Sequence, residues 1–85
     1  MNNNVVVDTS VAIKWIVTVS DSDVARALLT EWTSKGMTIH APALLAYEAA
    51  NSLYKYIRAG QMPFKDAESG LRNVIFPLIT LDYPK

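Results

Sequence analysis

The sequence predicts an α/β domain, a parallel sheet with covering helices, and three observations carry that expectation. Short apolar runs rich in β-branched residues alternate with segments of helical periodicity. Acidic and hydroxyl residues follow the first run, where a strand would hand over to a helix, and glycines stand where helices would stop. The order read along the 85 residues is β-α-α-β-α-α-β, within a single domain over 1–85.

Val5-Val6-Val7 has no polar alternation, as in a strand covered on both faces. Asp8-Thr9-Ser10 are all helix N-cap types, and Val11, Ala12, Trp15 and Ile16 then recur at helical spacing. A second helix starts in Ser20-Asp21-Ser22-Asp23, where acids are favoured by the helix dipole. Ala25, Leu28, Leu29 and Trp32 form its apolar face, and Gly36 is its stop. Met37-Thr38-Ile39-His40 reads as a second strand, ended by Pro42.

Pro42 also suits the first turn of a third helix, which runs to Arg58 with Gly60 beyond it. Ala46, Ala49, Ala50, Leu53 and Ile57 line one face, while Glu48, Asn51, Ser52 and Lys55 share another. Met62-Pro63 opens a fourth helix with Phe64, Ala67, Leu71 and Val74 facing inward. Pro77 breaks it, and Leu78-Ile79-Thr80-Leu81 is the third strand. Strands separated by helices imply right-handed crossovers and a parallel sheet. Three strands with four helices are expected to cover one sheet face well and the other poorly, as in a domain truncated at its C-terminus.

Eight basic and eight acidic residues cancel. A protein that holds nucleic acid mainly by counterion release carries a basic excess, so any RNA contact here must be local or aided by metal ions. With no cysteine, disulfides and thiolate metal sites are excluded, and one histidine cannot make a His-rich zinc site. Met1-Asn2-Asn3-Asn4 is uncharged and leads into only three valines, which is neither a signal peptide nor a membrane span. A cytoplasmic protein without a membrane partner is expected.

Ligand sites in open α/β sheets lie beyond the carboxyl ends of the strands, where Asp8 follows Val5-Val6-Val7. A carboxylate there can reach a divalent cation while the sheet fixes its backbone. The plainer reading of Asp8 is a helix N-cap. No G-x-x-x-x-G-K-[ST] loop or dinucleotide fingerprint is present, and Ser10 stands where an aspartyl-phosphate phosphatase would have its second Asp. Glu48 is the best second acid: it lies early in the helix after the second strand, at the same sheet edge as Asp8, among Ala46, Tyr47, Ala49 and Ala50. A solvated surface Glu is its plainer reading.

Val5 to Trp15 resembles the opening strand and turn of PIN domains, especially the toxin ribonucleases of bacterial toxin–antitoxin pairs. Ala41 to Leu53 is similar to that family's second acidic motif, with a Pro before the helix and an Asn three residues after the Glu. Phe76 to Asp82 resembles the hydrophobic stretch before the family's next helix, so the likeness runs the whole chain in order. It implies the N-terminal β-α-α-β-α-α-β portion of a PIN-like domain and a metal-dependent endoribonuclease using Mg²⁺ or Mn²⁺. Asp8 and Glu48 would be catalytic, metal-binding acids, Ser10 a hydroxyl near the metal, and Asn51 a helper on the face of Glu48.

The implied partners are single-stranded or structured RNA, an antitoxin protein and further copies of the chain. The family's third acid, and commonly a fourth, belongs to a C-terminal half that has no counterpart here. Weak or absent activity is therefore expected, and the alternative is a non-catalytic PIN-derived binding or oligomerisation module.

The other acids suggest plainer roles. Asp21, Asp23, Asp66 and Glu68 read as first-turn charges, Glu31 as the partner of Lys35, and Asp82 as a loop residue. His40 reads as a packed strand end, Trp15 and Trp32 as core, and Lys14, Lys55 and Arg58 as phosphate contacts only if they flank the site. Asp8 and Glu48 are expected to converge at about 4–6 Å and raise each other's proton affinity.

Overall fold

The computed structural model describes residues 3–84. The elements follow the expected order: β1 (Asn4–Val6), α1 (Thr9–Lys14), α2 (Ser22–Ser34), β2 (Thr38–Pro42), α3 (Leu44–Arg58), α4 (Phe64–Gly70), a π-helical stretch (Leu71–Ile75), the single turn α5 (Phe76–Leu78) and β3 (Ile79–Asp82). The strands form one parallel sheet in the order β1-β2-β3, with Val5 beside Ile39 and Ile39 beside Ile79.

That order decides where the helices go. Two right-handed crossovers stepping in the same direction put all their helices on one side of the sheet. The strands record the result: Ile39, Ala41 and Ile79 are buried and Val5 and Leu81 half-buried, while Asn4, Val6, Thr38, Pro42, Thr80 and Asp82 are exposed. Coverage of Val5-Val6-Val7 on both faces is therefore overturned, since Val6 is 73% exposed. An uninterrupted apolar run is compatible with one-sided burial; strand order and crossover hand decide which it is.

The core lies between the sheet and the helices. Leu45, Ala49 and Leu53, four residues apart on α3, are sealed from water and pack with Ala12 and Ile13 of α1, Trp15, and Ile75 of the π-helical stretch. Trp15 meets Trp32 edge to face, with centroids 6.4 Å apart, and its indole N–H donates to the Ala25 carbonyl at 2.9 Å. Buried Ser22 keeps both hydrogen-bonding roles satisfied. Its hydroxyl donates to the Val17 carbonyl and accepts from the Val19 N–H, each at 2.9 Å.

Several boundaries and faces differ from expectation. Pro42 closes β2, paired with Asp82, and α3 begins only at Leu44. Ala50 is exposed, as is Phe64 on α4. Gly36 and Gly60 end their helices as expected, at φ 68° and 72°, conformations open to glycine at little cost. Pro77 does not stop the fourth helix at once. The turn ahead of it widens, with the Phe76 N–H donating to the Leu71 carbonyl, and helical structure continues to Leu78. A proline ring clashes with the carbonyl four residues back in a regular α-helix, and the widened turn includes that residue, Asn73.

A candidate carboxylate site at the end of the sheet

The backbone beyond β1 stays fixed because the Val7 N–H donates to the His40 carbonyl at 2.9 Å. Asp8 follows and serves as the N-cap of α1. Its Oδ1 accepts from the Val11 N–H at 3.2 Å and from the Ser10 hydroxyl at 2.6 Å. The cap reading is realised, and it leaves an exposed carboxylate at the strand's carboxyl end. The Ser10 hydroxyl foremost, then the Val11 N–H, hold the Asp8 carboxyl below its ordinary range, with Lys14 adding a little and slight desolvation opposing.

Glu48 sits on the second turn of α3. Its Oε1 accepts from the Thr9 hydroxyl at 2.8 Å. Thr9 and Ser10, the first two residues of α1, thus tether one carboxylate each, and Glu48 is drawn to the end of the sheet where Asp8 stands. The expected mutual rise in proton affinity is not found at Asp8. Its carboxyl is shifted down, and Glu48 is not among the groups acting on it. Hydrogen bonds to the charged form outweigh the small desolvation there.

Beside Glu48 an open groove of about 690 Å³ runs between α1 and α3. Ser10 and Thr9 border it, with Ser52 and Lys55 continuing along α3. Asn51 is exposed and outside this lining; the positions four and seven after Glu48 hold the groove face rather than the position three after. Lys14 lies on the wall but is engaged with Asp21 at 2.6 Å, and this ammonium holds the Asp21 carboxyl below its usual range. Arg58 lies 5.8 Å from the Tyr54 ring centroid.

Among the described residues, no three His, Cys, Asp or Glu side chains gather in one place. Asp82 closes β3 instead of lying in a loop, and its carboxylate meets His40 Nδ1 at 3.2 Å on the face without helices. His40 Nε2 lies 3.1 Å from Asn4 Oδ1, so the imidazole bridges all three strands. Sequence reasoning missed this cross-strand set. The signal was available in the two-residue period, which places His40 and Asp82 on one face of adjacent strands. Glu31 and Lys35 pair as expected, at 3.6 Å.

No helix among the described residues is long and apolar enough to cross a membrane. No protein-family model matches the chain, and no curated protein or solved structure matches it significantly.

Proposed function

We propose that Asp8 and Glu48 form part of a divalent-cation site for RNA phosphodiester hydrolysis of the PIN type, and that this chain by itself turns over little or no RNA. The observation that carries the reading is the pair of tethers from adjacent residues: Thr9 to Glu48 at 2.8 Å and Ser10 to Asp8 at 2.6 Å. They support two carboxylates serving one site. The donors are all oxygen, the kind that Mg²⁺ and Mn²⁺ take, so the set fits in kind. A bound dication would lower the pKa of a coordinated water and offset phosphate charge. Asp8 and Glu48 would hold it, while Ser10 and Thr9 fix their rotamers.

The second reading, a non-catalytic binding or oligomerising module, is favoured by the absence of a third clustered acid among the described residues and by the helix-free sheet face. Residues that act as a unit are strongly non-additive, so two acids without further partners support ion binding far better than turnover. Mn²⁺ titration of the labelled chain tests the site. Paramagnetic broadening should centre on Asp8, Ser10 and Glu48 and vanish in Asp8→Asn. In a gel assay on single-stranded RNA with Mg²⁺ or Mn²⁺, cleavage should stay at background. Broadening elsewhere in the chain would refute the shared site, and robust cleavage lost in Asp8→Asn would refute the inactive reading.

A further inference from the structure

The groove beside Glu48 extends well past the carboxylates. It follows α3 through Ser52 to Lys55 and Tyr56, a span of about 10 Å at 1.5 Å per residue. Ile13 of α1 and Val19 of the following loop supply apolar wall, and Gln61, beyond the end of α3, lines it too.

Its charge is divided. Glu48 is the anionic side; of the two lysines that line the groove, Lys14 is neutralised by Asp21, whereas Lys55, seven positions after Glu48, makes no ion pair among the described residues. An apolar wall with a few converging polar groups, in the range of roughly 300–1,000 Å³, is how small-ligand sites are built. A flat heterocycle carrying an anionic group answers every part of this one. Its ring would lie against Ile13 and Val19 beside Tyr56, its polar edge would face the Ser52 hydroxyl and the Gln61 amide, and its phosphate would face Lys55. A phosphate at the Glu48 end would be repelled unless a cation intervened, which fixes the polarity.

We propose that this groove is a subsite for one nucleotide unit, with the nucleobase on the apolar wall and the phosphate on Lys55. Its place beside a scissile phosphate rests on the function proposed above, but nucleotide binding itself requires no metal. Lys55 and Gln61 then set affinity and base preference, respectively.

The test is an amide chemical-shift titration of the full ¹⁵N-labelled chain in EDTA, with AMP, with UMP, and separately with ribose 5-phosphate. Saturable shifts are expected at Val19, Ser52, Lys55 and Gln61. Base–aromatic stacking should make the nucleotides bind about five-fold or more tighter than the sugar phosphate. Lys55→Glu should weaken all three ligands, and Gln61→Ala the nucleotides alone; both side chains are exposed, so folding is not at stake. Equal affinity for nucleotide and ribose 5-phosphate, or no saturable shift in the groove, overturns the subsite. Nucleotide shifts in EDTA without Mn²⁺ broadening at Asp8 and Glu48 would sink the metal reading and leave the subsite standing. The reverse result would sink the subsite alone.

Discussion

The two faces of the sheet are built from the same three strands and answer to different physics. On the helix side, Ile39 is 2% exposed and Ala41 1%, and their neighbours across the sheet, Val5, Ile79 and Leu81, complete an apolar layer. One residue along, on the other side, come Asn4, Val6, Thr38, His40, Thr80 and Asp82. There the central histidine joins the outer strands through polar contacts to Asn4 and Asp82 instead of through packing. Burial stabilises the first face. On the second, hydrogen bonds made within reach of water contribute little net free energy and chiefly fix geometry. Stability and strand alignment are therefore carried on opposite sides of one sheet.

Mutation should expose that division, and the largest effect belongs to the covered face. Ile39→Ala should cost about 2–5 kcal/mol, the usual range for emptying a packed site, whereas Val6→Ala should stay within about 0.5 kcal/mol. Urea denaturation of the two variants checks both. A Val6→Ala cost comparable to that of Ile39→Ala would break the comparison, because something would then be covering the open face in solution.

The next effect tests how tightly the helix layer packs. A Cβ at Gly70 would lie 2.5 Å from Ile16 Cγ2 and 2.9 Å from Cγ1, so Gly70→Ala must displace that side chain. We expect a loss of about 1–3 kcal/mol despite the better helix propensity of alanine. An unchanged denaturation midpoint would mean that this layer yields easily.

The smallest effect lies at the sheet's end. Asp8 titrates lower in the folded chain than its ordinary value of 3.8, so its charged form contributes stability above that pH. The contribution is lost as the pH falls through the depressed value. Asp8→Asn keeps a side chain able to cap the helix but has no charge to lose. Its stability should therefore fall less steeply than that of the unsubstituted chain as the pH drops below about 4, by a fraction of 1 kcal/mol for so exposed a group. Parallel acid titrations followed by circular dichroism would show it, and identical slopes would remove Asp8 from the acid response.

Much of this was legible in the residues. The run Val5-Val6-Val7, the cap triplet after it and the stops at Gly36 and Gly60 give the element order, because each is a local preference that the packing does not oppose. Helical spacing puts Leu28, Ala50 and Phe64 on apolar faces, yet Ala50 and Phe64 are exposed and Leu28 is only partly covered, since periodicity fixes a stripe but not how far it turns toward the core. The widened turn at Leu71–Ile75 left no signal beyond Pro77 itself. At the candidate site, the positions of Asp8 after β1 and of Glu48 after β2 could be read from the element order. Ser52 and Lys55 were legible as sharing the Glu48 face, but that Asn51 falls off it and that it borders α1 needed the rotation of α3 about its axis, which only tertiary packing sets.

The strand order β1-β2-β3 also bears on how the chain acquires its fold. Each strand after the first pairs with the one made just before it, so no strand waits for a later one to arrive between it and its neighbour. Chains emerge from the ribosome N-terminus first, and pairing in order of emergence keeps each loop to be closed short. The β1-α1-α2-β2 unit closes on itself without α3: in the folded chain Val7 is bonded to His40 and Trp15 meets Trp32, all within residues 4–42. Parallel sheets are ordinarily slow to form because their partners are far apart in sequence. Here the fold can grow as a vectorial process, one crossover at a time, with the open edge of the newest strand as the template for the next.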